Sequence, residues 1–148
     1  MRMTKAEIVE VENGQPGWRH LYLEARAGAD ELHRWITWGA GKDGSSVEVR
    51  FPRAIVHSKP KLGIIQIDYE ISQQRVQDLR EKLSEEAANE FLHETRLRLD
   101  GMARLIAGAS RITCEVTGET GAVMCVKDGW LRTLLPAVAQ ILGFAPLR

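Results

Sequence analysis

Apolar residues recur at steps of three and four between Ser72 and Ala107, which is the spacing of one face of an α-helix. Ser72 precedes the first of them and suits a helix N-cap, while Gly108 follows the last and suits a C-terminal stop. The pattern predicts one long helix, with Gly101 as the position where it would kink or divide. The apolar positions are Val76, Leu79, Leu83, Ala87, Phe91, Leu99, Met102 and Ile106.

Alternation of apolar and polar residues predicts two strands in the first half of the chain. Glu7–Glu12 (EIVEVE) and Val47–Phe51 (VEVRF) both alternate, as a half-buried strand does. The segment 13–17 that follows the first of them holds two glycines and a proline, so regular structure should stop there.

A β-hairpin is predicted next, with arms at Ile55–His57 and Gly63–Tyr69 and a turn at Ser58–Lys61. Side chains alternate between the two faces of a strand. Ile65 and Ile67 therefore share one face of the second arm, and we expect that face to be buried.

The stretch from Trp18 to Trp38 fits either a strand or helical turns. We favour a helix over Ala29–Trp38, with Asp30 near its start. The glycine-rich stretch Gly39–Ser46 then has the composition of a loop. It contains G-x-G-x-x-G, but a strand pattern follows it where a dinucleotide site would need a helix, so it is interpreted as an ordinary loop.

Two short strands are predicted near the C-terminus, at Ile112–Thr117 and Ala122–Val126, around the turn 118–121. If that turn is symmetric, Cys114 lies directly opposite Cys125 in the pair. Two cysteines are too few for a disulfide scaffold. We expect both thiols to be reduced, because the cytoplasm is a reducing compartment.

A short terminal helix over Pro136–Leu142 is predicted from Pro136 at its first position and Gly143 at its end. Together these elements predict a single α+β domain over residues 1–148. A sheet-rich part spans 1–71, the long helix spans 72–108, and the hairpin and terminal helix span 111–148. We expect the small antiparallel sheet to pack on the long helix.

Composition narrows the class of protein. The chain has 148 residues, of which 44% are hydrophobic and 27% are charged, with 20 basic and 20 acidic side chains. These values suit a globular domain and exclude disordered and fibrous classes. No apolar run approaches the ~20 residues of a membrane helix, and the N-terminus lacks the apolar stretch of a signal peptide. We therefore expect a cytoplasmic protein with no membrane partner, and zero net charge disfavours a nucleic-acid partner.

Other candidate chemistry is sparse. Glu90 and His93 have the spacing of one half of a carboxylate metal site, but no second Glu-x-x-His exists, so a solvated helix face is the better interpretation. The tryptophans Trp18, Trp35 and Trp38 fit core packing best, and an exposed patch for a partner is the alternative. No pattern of catalytic or cofactor-binding residues emerges, so the sequence predicts no cofactor and favours a non-enzyme.

The C-terminal segment resembles a family of uncharacterised bacterial proteins. The residues that carry the likeness are Cys114–Gly121 (CEVTGETG) and Gly129–Ala139 (GWLRTLLPAVA), set against C-E-x-C-G-x-x-G and G-W-L-[RK]-T-L-C-x-x-H-A. Val56–Ile64 and Gly17-Trp18 resemble further segments of the same family. The resemblance implies a treble-clef-like module, in which a Cys-x-x-Cys knuckle precedes a hairpin and a Cys-x-x-His pair begins a helix.

This chain departs from that motif at three of the four positions where the family would bind zinc. Cys114 stays, but Thr117, Leu135 and Val138 occupy the other ligand positions. One thiolate cannot hold a structural zinc ion, which needs four ligands. We therefore expect a degenerate zinc ribbon without metal, in which these four side chains form a hydrophobic cluster where the ion would be.

The function expected from the sequence is a non-enzymatic protein-binding module. The resemblance suggests an immunity or accessory protein of a bacterial conflict system as the subtype. A nucleic-acid-binding module and a small enzyme with an unrecognised site remain as alternatives. The partner and the oligomeric state, a homo-oligomer included, stay open.

Overall fold

The computed structural model describes residues 3–11, 14–32, 35–38, 47–50 and 54–147. They form a mixture of helices and small antiparallel sheets, so the α+β class is confirmed. The helices are α1 (Lys5–Glu10), α2 (Arg19–Leu32), α3 (Gln73–Lys82), α4 (Glu85–Ser110) and α5 (Pro136–Leu142), with a 3₁₀ turn at Pro16–Trp18. The strands are β1 (Trp35–Trp38), β2 (Val47–Arg50), β3 (Ala54–Lys61), β4 (Ile64–Ile71), β5 (Val123–Lys127), β6 (Trp130–Leu134) and β7 (Ala145–Pro146).

The chain forms two compact units that are interleaved along the sequence. Unit 1 comprises Met1–Glu24, Ser58–Ile67 and Arg104–Arg148, and unit 2 comprises Ala25–His57 and Asp68–Ala103. Each unit therefore draws on distant parts of the chain. The first unit contains the whole C-terminal segment that carries the family resemblance.

The start of unit 1 is a helix, so the strand predicted over Glu7–Glu12 is wrong. Thr4 caps α1, because its Oγ1 accepts a hydrogen bond from the N–H of Glu7 at 3.2 Å. Ile8 is buried against the C-terminal elements, whereas Val9 is exposed. Local alternation pointed to a strand, but contact between α1 and α5 selects the helix.

The predicted hairpin is present as the paired strands β3 and β4, but its turn lies at Leu62-Gly63 and not at Ser58–Lys61. Both turn residues have positive φ, 53° for Leu62 and 77° for Gly63. Leucine rarely adopts that conformation, which is why the sequence pointed elsewhere. Ile65 and Ile67 are buried in unit 1, as their shared face predicts.

The long helix predicted over 72–108 is divided into α3 and α4, and the division is at Leu83, not at Gly101. Leu83 is extended, with φ −108° and ψ 158°, and the Oγ of Ser84 accepts the N–H of Ala87 at 3.3 Å. Ser72 lies at the N-cap of α3, but its hydroxyl accepts no capping bond. The helix also continues past Gly108 to Ser110.

The apolar stripe nevertheless forms the core of unit 2. Leu83 turns inward at the helix break, so the stripe continues across it. The buried cluster consists of Val76, Leu79, Leu83, Ala87, Ala88, Phe91 and Leu92, with Ile71 packed beside it. This part of the pattern is confirmed.

The helix favoured over Ala29–Trp38 is partly wrong. Helix α2 ends at Leu32, and Trp35–Trp38 is strand β1, which pairs antiparallel with β2. The strand predicted at Val47–Phe51 is confirmed over Val47–Arg50. The loop predicted at Gly39–Ser46 lies outside the described residues.

The C-terminal hairpin is β5–β6, with its turn at Asp128-Gly129, so the strand pair predicted around 118–121 is wrong. Only a single bridge joins Thr113 to Thr120. Residues 113–120 form a compact loop, here called the knuckle loop. In it the N–H of Cys114 donates to Glu119 O at 2.9 Å, and the N–H of Gly118 donates to Cys114 O at 3.0 Å.

Helix α5 matches its prediction, beginning at Pro136 and ending at Gly143, whose φ is 79°. Strand β7 then returns to β5, which gives the sheet order β6-β5-β7. The knuckle loop, the hairpin and helix α5 follow one another along the chain. Their shared core includes Cys114, Cys125, Leu134, Val138 and Leu142.

Candidate binding site

The knuckle loop is held against the Gly17-Trp18 turn by backbone contact. The N–H of Gly17 donates to Glu115 O at 2.7 Å, and the indole Nε1–H of Trp18 donates to Thr113 O at 2.8 Å. A Cβ on Gly17 would lie 2.2 Å from Cys114 O and 2.4 Å from Gly118 N. Only glycine permits this approach. The Gly17-Trp18 turn and the knuckle loop, which are far apart in the sequence, thus pack together in unit 1, and they are called the wall below.

Glu115 is the buried charged group of this wall, with a side chain only 2% exposed. Its Oε2 accepts a short 2.5 Å hydrogen bond from the N–H of Thr133, and its Oε1 accepts one from Arg132 Nε at 3.4 Å. The Nη2 of Arg132 in turn donates to Gly14 O at 2.7 Å. Glu115 therefore joins the knuckle loop to β6 through its side chain as well as through its own N–H, which donates to Thr133 O.

Burial raises the pKa of Glu115 above its ordinary value, because water is removed from the charged form. The Arg132 guanidinium and the N–H of Thr133 oppose that rise. Tyr22 is affected as well, since its pKa is raised by burial and then by the nearby Glu115 charge. Packing thus sets the pKa of Glu115, and each of its two carboxylate oxygens accepts a hydrogen bond from within the protein.

A pocket of about 440 Å³ opens beside this wall, within unit 1. Two hairpin turns border it, Leu62-Gly63 and Asp128-Gly129, each with both residues at positive φ. The hydroxyl of Thr133 fastens the first turn by donating to Gly63 O. The lining residues are Gln15, Pro60, Leu62, Gly63, Glu115, Lys127, Asp128, Trp130, Leu131, Arg132, Leu142 and Phe144.

The pocket has the volume of a recognition site, and its lining mixes apolar and charged side chains. Ligand pockets typically measure ~300–1,000 Å³ and combine apolar walls with a few polar groups. Trp130 and Leu62 are 75% and 70% exposed, and each lies next to or within one of the two turns. Because both side chains line the same pocket, they expose apolar surface at one place, where a partner could cover it.

The four positions of the degenerate zinc motif come together only in part. Cys114 and Val138 are buried in the same core cluster, and Leu135 packs against that cluster. Thr117 is partly buried and its Oγ1 accepts the N–H of Glu119 at 3.3 Å. Within the described residues, no three His, Cys, Asp or Glu side chains are grouped in a way that could hold a metal ion.

We expect Leu135→Ala to lower the free energy of unfolding by about 2 kcal/mol, because it removes apolar contacts between the start of α5 and this cluster. Added zinc should leave the unfolding midpoint of the variant unchanged. Chemical denaturation with and without zinc measures both effects. Leu105→Ala is the control, since that leucine is 75% exposed and its loss should cost under ~0.5 kcal/mol. Recovery of stability with zinc would contradict the expectation.

The cysteine register predicted from a symmetric turn is also wrong. Cys125 lies opposite Arg132 in β6 and Pro146 in β7, while Cys114 belongs to the knuckle loop. Both thiols are free and buried. Burial raises the pKa of Cys125, and the neighbouring Cys114 adds to the rise. The two cysteines share a core, but no strand pair brings them together.

The tryptophan patch considered from the sequence includes one fully buried residue. Trp18 has 0% exposure and is hydrogen-bonded inside unit 1, so it cannot belong to an exposed surface. Trp35 and Trp38 both lie in β1, whose side chains are outside the described set. Of the two tryptophans whose side chains the structure describes, Trp130 is the exposed one and lines the pocket, and no sequence pattern marked it as a binding residue.

The sequence indicated no role at a pocket for Glu115 and Arg132, which appeared only as members of the C-terminal motif. Glu115 and Arg132 belong to its two separate halves, and their ion pair joins them. The one sequence signal for Glu115 was a charged residue between the apolar residues Cys114 and Val116, all three of which are buried in the structure. Glu90 and His93, by contrast, are exposed on α4, in keeping with a solvated face.

Comparison with known proteins finds no relative of this chain. No family model matches the chain, and neither the curated proteins nor the solved structures contain a significant match. The likeness to the bacterial zinc-motif family therefore stays a hypothesis. In the described part of the chain, no helix is both long enough and apolar enough to cross a membrane.

Proposed function

We propose that this chain is a non-enzymatic protein-binding module, and that it takes an apolar side chain of its partner into the pocket of unit 1. The observation that carries the proposal is the pair of exposed apolar side chains, Trp130 and Leu62, that line the same pocket. Tryptophan is among the residues that contribute most to protein interfaces.

The polar groups of the pocket favour recognition over reaction. Both carboxylate oxygens of Glu115 are occupied, one by Arg132 and one by the N–H of Thr133. Arg132 and Lys127 each donate to a backbone carbonyl, of Gly14 and Leu142 respectively. These groups hold the walls in place, so they preorganise a binding surface.

The two turns that border the pocket support the same proposal. Two-residue turns with both residues at positive φ match the twist of the strands they join. The hydroxyl of Thr133 also holds the first turn through Gly63 O, and a surface that is already held in place loses less entropy when a partner binds. The expected contact is therefore a preformed pocket filled by a partner side chain.

A displayed library of random peptides, selected on the wild-type protein, tests the proposal. We expect enriched peptides to carry a large apolar residue and to bind Trp130→Ala about thirtyfold more weakly, the loss typical of a central interface tryptophan. Leu105→Ala is the matched control, because Leu105 is as exposed as Trp130 but lies on α4. It should bind the same peptides as wild type.

Three results would contradict the proposal. The first is an absence of enrichment on wild type, and the second is equal binding of the enriched peptides by Trp130→Ala. The third is a salt-dependent mobility shift with mixed DNA or RNA that Trp130→Ala abolishes, which would support the nucleic-acid alternative.

A further inference from the structure

Lys127 supplies a positive charge at the pocket that its neighbours leave unbalanced. Its Nζ donates to Leu142 O, at the end of α5, over 3.0 Å. Cations are favourable at helix C-termini, and this bond fixes the ammonium at the pocket wall. An ammonium has three N–H donors, so two remain for another acceptor.

A second cation lies on the same aromatic ring. Lys127 Nζ is 5.8 Å from the centroid of the Phe144 ring, and the guanidinium carbon of Arg132 is 5.9 Å from it. Both distances are within the range of cation–π attraction. Two positive groups therefore converge on one apolar wall of the pocket.

The carboxylates near these cations balance only one of them. Glu115 pairs with Arg132 and lies buried behind it. Asp128 follows Lys127 in the chain and also lines the pocket, but across the described residues Lys127 forms no ion pair with it or with any other carboxylate. The pocket thus offers an apolar wall next to a cation without a counter-ion.

We propose that the partner segment carries an acidic side chain adjacent to its apolar anchor, and that this carboxylate accepts hydrogen bonds from Lys127. The inference rests on the proposed function and specifies the partner's chemistry. We assign this carboxylate to an aspartate or glutamate side chain inside the segment and not to a chain terminus.

The experiment uses the enriched peptides in pairs that differ by one group, with Asp or Glu beside the apolar residue, or the matching Asn or Gln. Fluorescence titration measures their affinity for wild type, Lys127→Gln and Lys127→Arg. Wild type should bind the acidic member about tenfold more tightly, the size of one charge-assisted hydrogen bond. Lys127→Gln should bind both members equally, and Lys127→Arg should restore the preference.

Lys59→Gln is the matched control. Lys59 is an exposed lysine next to Pro60, which lines the pocket, but strand alternation directs it to the opposite face. Its loss should leave the tenfold preference intact. If Lys59→Gln and Lys127→Gln weaken the preference equally, the effect is general attraction and the inference is wrong.

Failure of this inference differs from failure of the proposed function. Enriched peptides that need Trp130 but show no acidic preference would overturn the inference and leave the protein-binding module standing. An absence of Trp130-dependent peptides would overturn both. Circular dichroism on each variant establishes that the fold is retained, and Lys127→Arg keeps the test decisive if Lys127→Gln loses the bond to α5.

Discussion

Gly17→Ala is expected to destabilise unit 1 by about 3 kcal/mol or more. The new methyl group would collide with backbone atoms of the knuckle loop, Cys114 O at 2.2 Å and Gly118 N at 2.4 Å. Backbone on both sides cannot relax as a flexible side chain can, so the two segments must separate. Separation would also break the hydrogen bond from the N–H of Gly17 to Glu115 O.

Gly14→Ala is the matched control for this variant. A Cβ on Gly14 would meet its nearest neighbours at 3.7 Å, which is ordinary contact. Denaturant titration, followed by tryptophan fluorescence to which buried Trp18 contributes, should show a large shift for Gly17→Ala and almost none for Gly14→Ala. Equal stability of the two variants would show that Gly17 does not pack against the knuckle loop as described.

Glu115→Ala is expected to lower the free energy of unfolding by about 3–5 kcal/mol. The change leaves the buried N–H of Thr133 without its side-chain acceptor and removes the carboxylate partner of Arg132. Glu119→Ala, in the same loop, is the control, because the bonds described for Glu119 are made by its backbone and not its carboxylate. Denaturant titration of the three proteins measures the difference.

Glu115→Gln separates the hydrogen bond from the charge. The amide oxygen can still accept a hydrogen bond from the N–H of Thr133. The glutamine side chain is neutral, so it does not carry the free-energy cost of burying a charge, which is the cost that raises the pKa of Glu115. We therefore expect Glu115→Gln to cost much less than Glu115→Ala at neutral pH.

The pH dependence of stability follows from the raised pKa of Glu115. A carboxyl group whose pKa is raised on folding binds its proton more tightly in the folded state. Its contribution to the free energy of unfolding is therefore complete below the unfolded pKa of 4.5, and it is lost as the pH rises through the pKa of the folded state. The stability of wild type relative to Glu115→Gln should thus fall with rising pH in that range. If wild type instead becomes more stable relative to Glu115→Gln as the pH rises, the ion pair with Arg132 outweighs the effect of burial on the pKa of Glu115.

Local signals in the sequence were sufficient for some elements. The apolar stripe from Val76 to Phe91 forms the core of unit 2, and Pro136 and Gly143 bound α5 as predicted. Helical periodicity and terminal residues act within a few positions along the chain, so no distant contact is needed to recognise them.

The two hairpin turns differ in what the sequence offers. Asp128-Gly129 is the Asp-Gly pair typical of a two-residue hairpin turn, so a local signal for β5–β6 was present and was missed. Leu62-Gly63 gives no such signal, because leucine rarely adopts its φ of 53° without support. At Leu62-Gly63 the support comes from Thr133, 70 positions away in the sequence, through its bond to Gly63 O. The strand pairing predicted around 118–121 failed because two glycines there serve a loop and not a hairpin.

The sequence by itself determined the α+β class, the apolar stripe, the hairpin β3–β4 and the terminal helix, since each depends on spacing within one short segment. Tertiary structure decided that residues 5–10 form a helix, that Leu83 interrupts the long helix, and that Glu115 is buried beside a pocket. Hydrogen bonds spanning 95 and 118 positions, from Trp18 to Thr113 and from Arg132 to Gly14, hold that site together. Such bonds depend on where distant segments meet in space, and no local pattern encodes that meeting.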